Sequence, residues 1–455
     1  MLRGLALLAC AAIAHGQDTL AERAHRYLAD LVRIDTSNPP GNETRLAQYL
    51  RRVATEEDIP SELLGADSAR MSLVARLRGS GKSRPLLLMA HSDVVPAEPA
   101  NWTVPPFAAE LRGRFLYGRG TIDDKSLLAA ELAVMVELKR TNRPLARDVI
   151  LLSESDEEAA SSGIQWMVHN AWTRIDAEFA LNEGGFAVDL PGGPRIYQVQ
   201  TAEKVPTPVI LRAHGTAGHG SLPRSDNPVV RLAHAIGRLA EAGQPVRLNT
   251  TTRRYLTEMA KLETFAWLAP LVARLENPLT ALAAADDIRR RDPELDAQLR
   301  TTVSPDVMHA GTVVNVIPTA AEAQVDVRRL PDETRDEVLA RLRKIVRDPQ
   351  VEVTPLPGHN MPATAPSSLQ TLLYQAMESV FLQAGPRALV VPHMARGATD
   401  GAYLRQRGMA VYGVPLFRRE DRDSRAHGND ERISPEILGE GANRLWQIVC
   451  KVTGN

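Results

Sequence analysis

His91 and Asp93, two residues of types that commonly bind divalent metals, follow an early apolar run. The run 86–90 is typical of a buried strand, and side chains two apart in an extended chain lie on one face. A carboxylate at position 93 could therefore accept the free ring N–H of a metal-bound imidazole at position 91. Taken alone, the pair is better explained as a strand-end histidine bonded to a neighbour, so other residues must converge on it to indicate a metal.

Two adjacent acids, Asp123 and Asp124, stand between a glycine-flanked turn and a predicted helix. The segment 126–138 has the apolar spacing of a core helix. Acids at such a position usually cap the helix, and by itself the pair predicts no more than that. Chemistry is indicated only if other acids and histidines meet at the same place.

Acids and a histidine follow other predicted strands as well. Glu157 and Glu158 follow one apolar run and Glu183 follows another, while His427 lies past the last predicted strand. Ligand crevices in α/β sheets lie outside the carboxyl ends of strands. Glu157 and Glu158 point different ways, so one could bind a metal while the other handles a proton. With His91 and the paired aspartates, these residues form a nitrogen and oxygen ligand set that suits zinc and related divalent metals.

The motifs of nucleotide-binding proteins and of other hydrolase classes are incomplete or absent in this sequence. The residues 81–83 (Gly-Lys-Ser) imitate the end of a P-loop, but Arg76 stands where the upstream glycine is required. Gly118 and Gly120 lack the third glycine of a dinucleotide fingerprint, where Asp123 stands instead. The sequence contains neither H-E-x-x-H nor G-x-S-x-G.

Composition indicates a globular protein without a nucleic-acid or membrane-surface partner. Hydrophobic residues make up 44% of the 455 positions and charged residues 24%, which is enough for a sizeable core. The net charge is −1 and no polybasic run occurs. The length predicts two or three domains.

The N-terminus, residues 1–17, predicts a signal peptide and hence a secreted or periplasmic protein. A positive charge at Arg3 precedes an apolar run over 4–14 that is too short to span a bilayer. Lipoprotein anchoring at Cys10 is a minor alternative. Removal of the leader leaves Cys450 as the one cysteine, which excludes a disulfide framework and a cysteine zinc site.

The order of elements predicts an α/β catalytic domain with a second α/β unit inserted into it. Strand-like runs separated by helical patterns indicate a largely parallel sheet with helices on both faces. From about residue 205 the pattern of predicted strands and helices changes, and the earlier pattern resumes after residue 357. We therefore predict a catalytic domain in two parts, 18–205 and 358–455, around an inserted unit at 206–357. We see no internal repeat.

In this order, the motifs resemble the co-catalytic zinc exopeptidase family of aminoacylase-1, carboxypeptidase G, succinyl-diaminopimelate desuccinylase and carnosinase. The match covers nearly the whole mature chain. The matching pieces are His91-Ser-Asp93, Trp102 with Pro105-Pro106-Phe107, Gly118 to Lys125, Asp156-Glu157-Glu158, Asn182-Glu183-Gly-Gly185, Gly218-His219-Gly-Ser221, Asn315-Val-Ile-Pro318 and His427.

The resemblance implies two zinc ions, or another divalent metal such as Co²⁺. It implies that His91, Asp123 and Glu183 hold one ion, that Asp123, Glu158 and His427 hold the other, and that Asp123 bridges them. Asp93 would be the partner of His91. Glu157 would be the general base that takes a proton from the attacking water and passes it to the leaving amine.

Further roles follow from the same resemblance for residues of the inserted unit, an α+β lid and dimerisation domain. His219 would stabilise the oxyanion in the partner subunit of a homodimer. Asn315 and Arg328 would contact the substrate, although Arg329 beside Arg328 leaves the choice of arginine open. The stretch 253–300 lengthens the predicted lid, as in carboxypeptidase S and secreted N-acyl-amino-acid hydrolases.

The sequence therefore predicts a secreted metallohydrolase that cleaves dipeptides, short peptides or N-acyl amino acids next to a free carboxylate. The alternative is a non-catalytic peptide- or amino-acid-binding protein on the same scaffold. A single-metal or serine-type hydrolase is a third possibility, but its motif is lacking.

Overall fold

The computed structural model describes residues 18–358, 360–420 and 425–454. The predicted leader, with Cys10, lies outside these residues. The strands are β1 Ser61–Leu64, β2 Ser72–Leu77, β3 Leu86–His91, β4 Glu110–Arg112, β5 Phe115–Tyr117, β6 Val149–Glu154, β7 Phe179–Asn182, β8 Phe186–Asp189, β9 Arg195–Glu203, β10 Val205–Pro206, β11 Val209–His214, β12 Gly218–His219, β13 Thr302–Ala310, β14 Val316–Ile317, β15 Ala320–Arg329, β16 Val351–Pro355, β17 Leu389–Ala395, β18 Ala410–Gly413 and β19 Arg432–Ile433.

Helices alternate with these strands along most of the chain. The described residues also form two short 3₁₀ helices, Pro99–Asn101 and Glu263–Leu268. The α-helices are α1 Leu20–Val32, α2 Glu43–Glu56, α3 Lys125–Arg140, α4 Ser162–Asn170, α5 Trp172–Ile175, α6 Pro228–Glu241, α7 Thr250–Met259, α8 Ala269–Leu275, α9 Ala281–Arg291, α10 Pro293–Asp296, α11 Arg335–Val346, α12 Leu372–Leu382, α13 Gly401–Gln406 and α14 Pro435–Thr453. Among the described residues, no helix combines the length and apolar character needed to cross a membrane.

The large sheet has the strand order β1-β2-β6-β3-β7-β18-β9-β17, and β8 pairs with β9. Its central strands β6, β3, β7 and β18 run parallel. Side chains of β3 alternate between two hydrophobic clusters: Leu86 and Leu88 face α1, α3 and α14, while Leu87 and Met89 face α4. Both faces of a central parallel sheet must be covered by helices, so its strands are apolar throughout. The predicted fold class is confirmed.

A smaller antiparallel sheet has its own hydrophobic cluster. Its strands follow the order β10-β15-β11-β16, with β13 on the other side of β15. Burial alternates along β15, and the buried side chains pack on α6 and α11. The members of this cluster lie between Val209 and Val353. The exact limits of the inserted unit, 206 and 357, stay a prediction.

The helical segment between α6 and β13 packs on the large sheet. Its side chains share a hydrophobic cluster with Ile196 of β9 and Val391 of β17. The segment therefore packs against the large sheet at β9 and β17, and the expectation that residues 253–300 lengthen the lid stays a prediction.

Candidate metal centre

The candidate ligands lie at the carboxyl ends of neighbouring parallel strands. His91 ends β3, Glu183 follows β7 on one side of it, and Glu157 and Glu158 follow β6 on the other. Parallel strands bring these ends to one edge of the sheet, which is where crevices form in such folds. Gly184 has a positive φ of 94°, so the chain can turn away immediately after Glu183.

Two groups of side chains meet at this edge, and Asp123 belongs to both. The groups are His91, Asp123 and Glu183, and Asp123, Glu158 and His427; within each, one ligand atom per residue lies within 4.8 Å of the others. His91 Nε2 is 3.0 Å from Asp123 Oδ1, and His427 Nε2 is 3.2 Å from Asp123 Oδ2. The two carboxylate oxygens therefore face different histidines, as expected of a bridging ligand.

The electrostatics of both groups suit divalent cations. Burial, followed by the charge of Glu157, holds the pKa of Glu183 well above its ordinary value. Hydrogen bonds with Asp123 and Glu158 raise the pKa of His427 to about 10. Crowded carboxylates with two imidazoles are a donor set that fits zinc, and a cation would relieve the repulsion among the acids.

Asp93 holds the turn that carries the predicted base. Its carboxylate accepts hydrogen bonds from the backbone N–H groups of Glu157 and Glu158, both at 3.1 Å, and from Asn38 Nδ2 at 2.8 Å. The His91 ring is nearer to the backbone carbonyl of Asp93, at 3.0 Å from Nδ1, than to the carboxylate, at 3.6 Å. We expected the carboxylate to be the acceptor of the ring N–H; the carbonyl is the closer one.

Glu157 opens onto a cleft between the large sheet and the smaller unit. A cavity of about 450 Å³ is lined by Glu157 and Glu158 on one side and by Arg328 on the other. Burial, which exceeds the opposing effect of His91, holds the pKa of Glu157 well above its ordinary value. Burial disfavours the charged form of a carboxylate, which is the cause of this shift.

The structure distinguishes the two neighbouring arginines of β15. Arg328 lines the cleft, with Nε 2.9 Å from Asp326 Oδ1. Arg329 is buried, and it donates to Thr207 Oγ1 and to the backbone carbonyl of Glu333. Adjacent residues of a strand point to opposite faces, so only Arg328 is free to meet a ligand in the cleft.

His219 and Asn315 lie together in the smaller unit, and neither belongs to the two ligand groups. β12, which contains His219, pairs with β14, which begins one residue after Asn315. The Asn315 carbonyl accepts the Gly220 N–H at 2.7 Å. Within the described part of the chain, the hydrogen bonds of the exposed His219 ring are with Ser221. Among the described residues, the contacts of the His219 ring therefore stay within its own turn.

Sequence reasoning missed Glu431, which holds the turn that bears Asp123. The buried carboxylate accepts the N–H groups of Gly120 (3.0 Å), Ile122 (2.6 Å) and Asp123 (3.1 Å). It also pairs with Arg119 Nη1 at 2.6 Å. The one available signal was its place four residues after His427, next to a predicted ligand.

Comparisons with known proteins find one family over most of the chain. The sequence model described as peptidase family M20/M25/M40 matches residues 87–451. The human N-fatty-acyl-amino acid synthase/hydrolase PM20D1 is 30% identical over 428 residues, which are 91% of this chain and 84% of that protein. The probable carboxypeptidase S-like 2 of Dictyostelium discoideum is 26% identical over 386 residues, which are 80% of this chain and 71% of that protein.

A solved structure shares the fold over nearly the whole chain. The M20 family metallo-carboxypeptidase Sso-CP2 from Sulfolobus solfataricus has a TM-score of 0.71 and 20% identity, and covers 94% of this chain and 98% of that one. The resemblance read from the motifs is therefore confirmed. Since the family match covers most of the sequence and the fold agrees, the chain belongs to peptidase family M20/M25/M40 and is a hydrolase of the class that acts on amide bonds.

Proposed function

We propose that the protein is a two-metal amidohydrolase that cleaves the amide bond of N-acyl amino acids, dipeptides or short peptides next to a free carboxylate. The observation that carries the proposal is the pair of ligand groups that share Asp123, beside Glu157 in the cleft. His91, Asp123 and Glu183 would hold one ion, and Asp123, Glu158 and His427 the other; zinc is the proposed metal and Co²⁺ a substitute. Bound there, the ions would supply electrophilic charge and make a water molecule more acidic.

Glu157 performs the proton transfers in this proposal. Its carboxylate accepts a proton from the attacking water and returns it to the leaving amine nitrogen. Asp93 keeps this carboxylate at the sheet edge through the two backbone hydrogen bonds described above.

Arg328 binds the free carboxylate of the substrate. Its guanidinium lines the cleft opposite Glu157, and a guanidinium matches the two oxygens of a carboxylate. The contact with Asp326 at 2.9 Å holds the guanidinium in place before the substrate enters. The names of two relatives, N-fatty-acyl-amino acid synthase/hydrolase and carboxypeptidase S-like, describe substrates or enzymes of this kind and support the class.

His219, with Asn315, completes the site across a homodimer. Because both lie together on the smaller unit and belong to neither ligand group, they act through the partner subunit. Donation of a hydrogen bond to the developing oxyanion is their role. Residues 1–17 act as a signal peptide, so the mature enzyme works outside the cytoplasm, and anchoring at Cys10 is the minor alternative.

The substitution Glu157→Ala tests the catalytic role. We expect it to leave zinc content unchanged and to lower kcat by about 10²- to 10⁴-fold, because a positioned base contributes that much. Zinc-loaded protein is assayed on a panel of N-acyl amino acids and dipeptides, with metal content measured by atomic absorption. Glu352→Ala, an exposed glutamate on β16, is the matched control and should behave as the wild type. Undiminished turnover in the Glu157 variant would remove this residue from its role, and a wild type that binds the panel without turnover would indicate a binding protein.

Complementation between two inactive variants tests the dimer. Glu157→Ala and His219→Ala subunits are mixed under exchange conditions. If His219 acts on the partner subunit, the mixed dimers regain one working site, which gives about a quarter of wild-type activity after random exchange. No recovery, together with a monomeric mass by light scattering, would disprove the shared site.

A further inference from the structure

A buried carboxylate at the end of β9 joins parts of the chain that are far apart in the sequence. The Glu203 side chain is 3% exposed, and it pairs with Arg405 of α13, whose side chain is equally buried. Its Oε2 accepts hydrogen bonds from Thr399, through the backbone N–H at 3.1 Å and through Oγ1 at 2.9 Å. The same oxygen accepts a hydrogen bond from Gln200 Nε2 at 2.7 Å. One buried charge therefore connects β9 with α13 and with the segment 396–400 that precedes it.

The segment before α13 forms part of the wall of the cleft. Ala398 and Tyr403 line the cavity of about 450 Å³ together with Glu157 and Arg328. Because Ala398 is the neighbour of Thr399, the hydrogen bonds of Thr399 fix the wall at this point. A substrate that enters the cleft therefore meets a surface whose position is set by a buried charge behind it.

Glu203 is also connected to the turn that follows the proposed ligand Glu183. Gln200, whose amide donates to Glu203, lies so close to Gly184 that an added Cβ there would overlap Gln200 Oε1. The Gln200 amide thus fills the space beside this turn. The same carboxylate is therefore in contact with the cleft wall on one side and with a neighbour of the ligand turn on the other.

We propose that Glu203 is a positioning residue for amide hydrolysis, which fixes the segment 396–400 so that the cleft is formed before the substrate enters. This inference rests on the proposed function, in which the cleft receives the carboxylate of the substrate. A segment that is not fixed in advance must be ordered at the expense of binding energy. A hydrogen bond to a charged group changes an equilibrium by about 10- to 150-fold, so KM should rise within this range when the carboxylate is lost.

The substitution Glu203→Gln tests the proposal at nearly constant side-chain volume. In the zinc-loaded protein we expect KM for N-acetyl amino acids and dipeptides to rise at least tenfold, with kcat changed less than threefold. Glu137→Gln is the matched control, because Glu137 pairs with the buried Arg23 at 2.7 Å near the C-terminal end of α3. The control should be destabilised in urea and keep the wild-type KM. A wild-type KM in Glu203→Gln, or an equal rise in the control, would overturn the proposal.

Two substitutions at Thr399 test the hydrogen bonds themselves. Thr399→Val removes the hydroxyl and keeps the backbone N–H, so KM should rise by at least threefold and by less than in Glu203→Gln. Thr399→Ser keeps both donors and should restore KM to within twofold of the wild type. If the serine variant behaves as the valine variant, the effect comes from packing of the methyl group, and the proposal is wrong.

Zinc affinity distinguishes the two sides of Glu203. Competition with a chelator should show that Glu203→Gln binds zinc within threefold of the wild type. A zinc affinity that falls at least tenfold, with an unchanged KM in the zinc-saturated protein, would assign Glu203 to the ligand turn and reject its role in the cleft.

Hydrogen exchange tests the proposal without turnover. Since the Thr399 N–H donates to Glu203, residues 396–405 of the zinc-loaded protein should exchange at least tenfold faster in Glu203→Gln than in Glu137→Gln or the wild type. Equal exchange rates would refute the proposal, whether or not the wild type hydrolyses an amide. Faster exchange in a protein that binds the substrate panel without turnover would support the role of Glu203 in the cleft and reject the proposed reaction.

Discussion

Glu431 should determine how firmly the turn that bears Asp123 is held, and Glu431→Gln tests this. The carboxylate accepts three backbone N–H groups at 2.6 to 3.1 Å and pairs with Arg119 at 2.6 Å. Arg119 in turn donates to the backbone carbonyls of His427, at 3.3 Å, and Gly428, at 3.1 Å. The Arg119–Glu431 pair therefore links the turn that bears Asp123 to the segment that bears His427.

The expected loss follows from the burial of this pair. The Glu431 side chain is 0% exposed and that of Arg119 is 3% exposed. Removal of one member of a buried pair costs about 3–5 kcal/mol, because the other charge is left uncompensated. Arg119 keeps its backbone carbonyl partners and glutamine keeps one acceptor oxygen, so we expect about 3 kcal/mol, at the low end of that range.

In the Glu431→Gln protein, both the zinc affinity and the free energy of unfolding should fall. The two effects need separate measurements. Loss of a residue that orients metal ligands weakens binding about 10- to 100-fold. Unfolding of the metal-free protein in urea gives the stability, and competition with a chelator gives the zinc affinity. Asp296→Asn is the matched control, because Asp296 pairs with the buried Arg300 in the helical segment, at 2.8 Å from Nε.

The control should lose comparable stability and keep its zinc affinity. If Glu431→Gln binds zinc within twofold of the wild type, the turn is not held by Glu431 and the reasoning is refuted. If Asp296→Asn weakens zinc binding equally, the loss reflects general destabilisation rather than the ligand geometry.

Two further predictions concern the ligands and the cleft. Hydrogen bonds to acids raise the pKa of His427 to about 10, and that of His91 is also raised despite its burial, so zinc must displace protons. Zinc affinity should therefore increase as the pH rises from about 6.5 to 10. Over the same range the metal-free protein should lose the stabilisation that the protonated histidines provide. A zinc affinity that does not change with pH in a proton-release titration would contradict this prediction. Arg328→Met should raise KM at least tenfold for substrates with a free carboxylate and leave their amidated analogues unaffected. Steady-state kinetics on both substrate forms measure it, and an equal effect on the two forms would exclude a carboxylate contact.

Much of the candidate site could be predicted because its residues occur at the ends of apolar runs. His91 follows five apolar residues and Glu183 comes two positions after the shorter apolar run 179–181, and such runs are typical of central strands. The family motifs then supplied the assignments, and the structure places the five predicted ligands in two groups. The general form of the fold was predictable for the same reason, since strand and helix periods are local.

The interactions that were not predicted connect residues distant in the sequence. Arg119 and Glu431 are 312 positions apart, and no local pattern marks such a pair. Packing of the helical segment on Ile196 and Val391 was missed because its apolar face shows only that it is buried, not which sheet buries it.

The sequence by itself determined the fold class, the ligand types and the strand ends that bear them, because these depend on residue identity and short-range periodicity. Only the tertiary structure decided which face of β15 borders the cleft, and hence that Arg328 rather than Arg329 meets it. It also decided that the Asp93 carboxylate holds the turn with Glu157 and that Glu203 binds Thr399. These features depend on how separate elements pack, and packing is set by contacts across the whole chain.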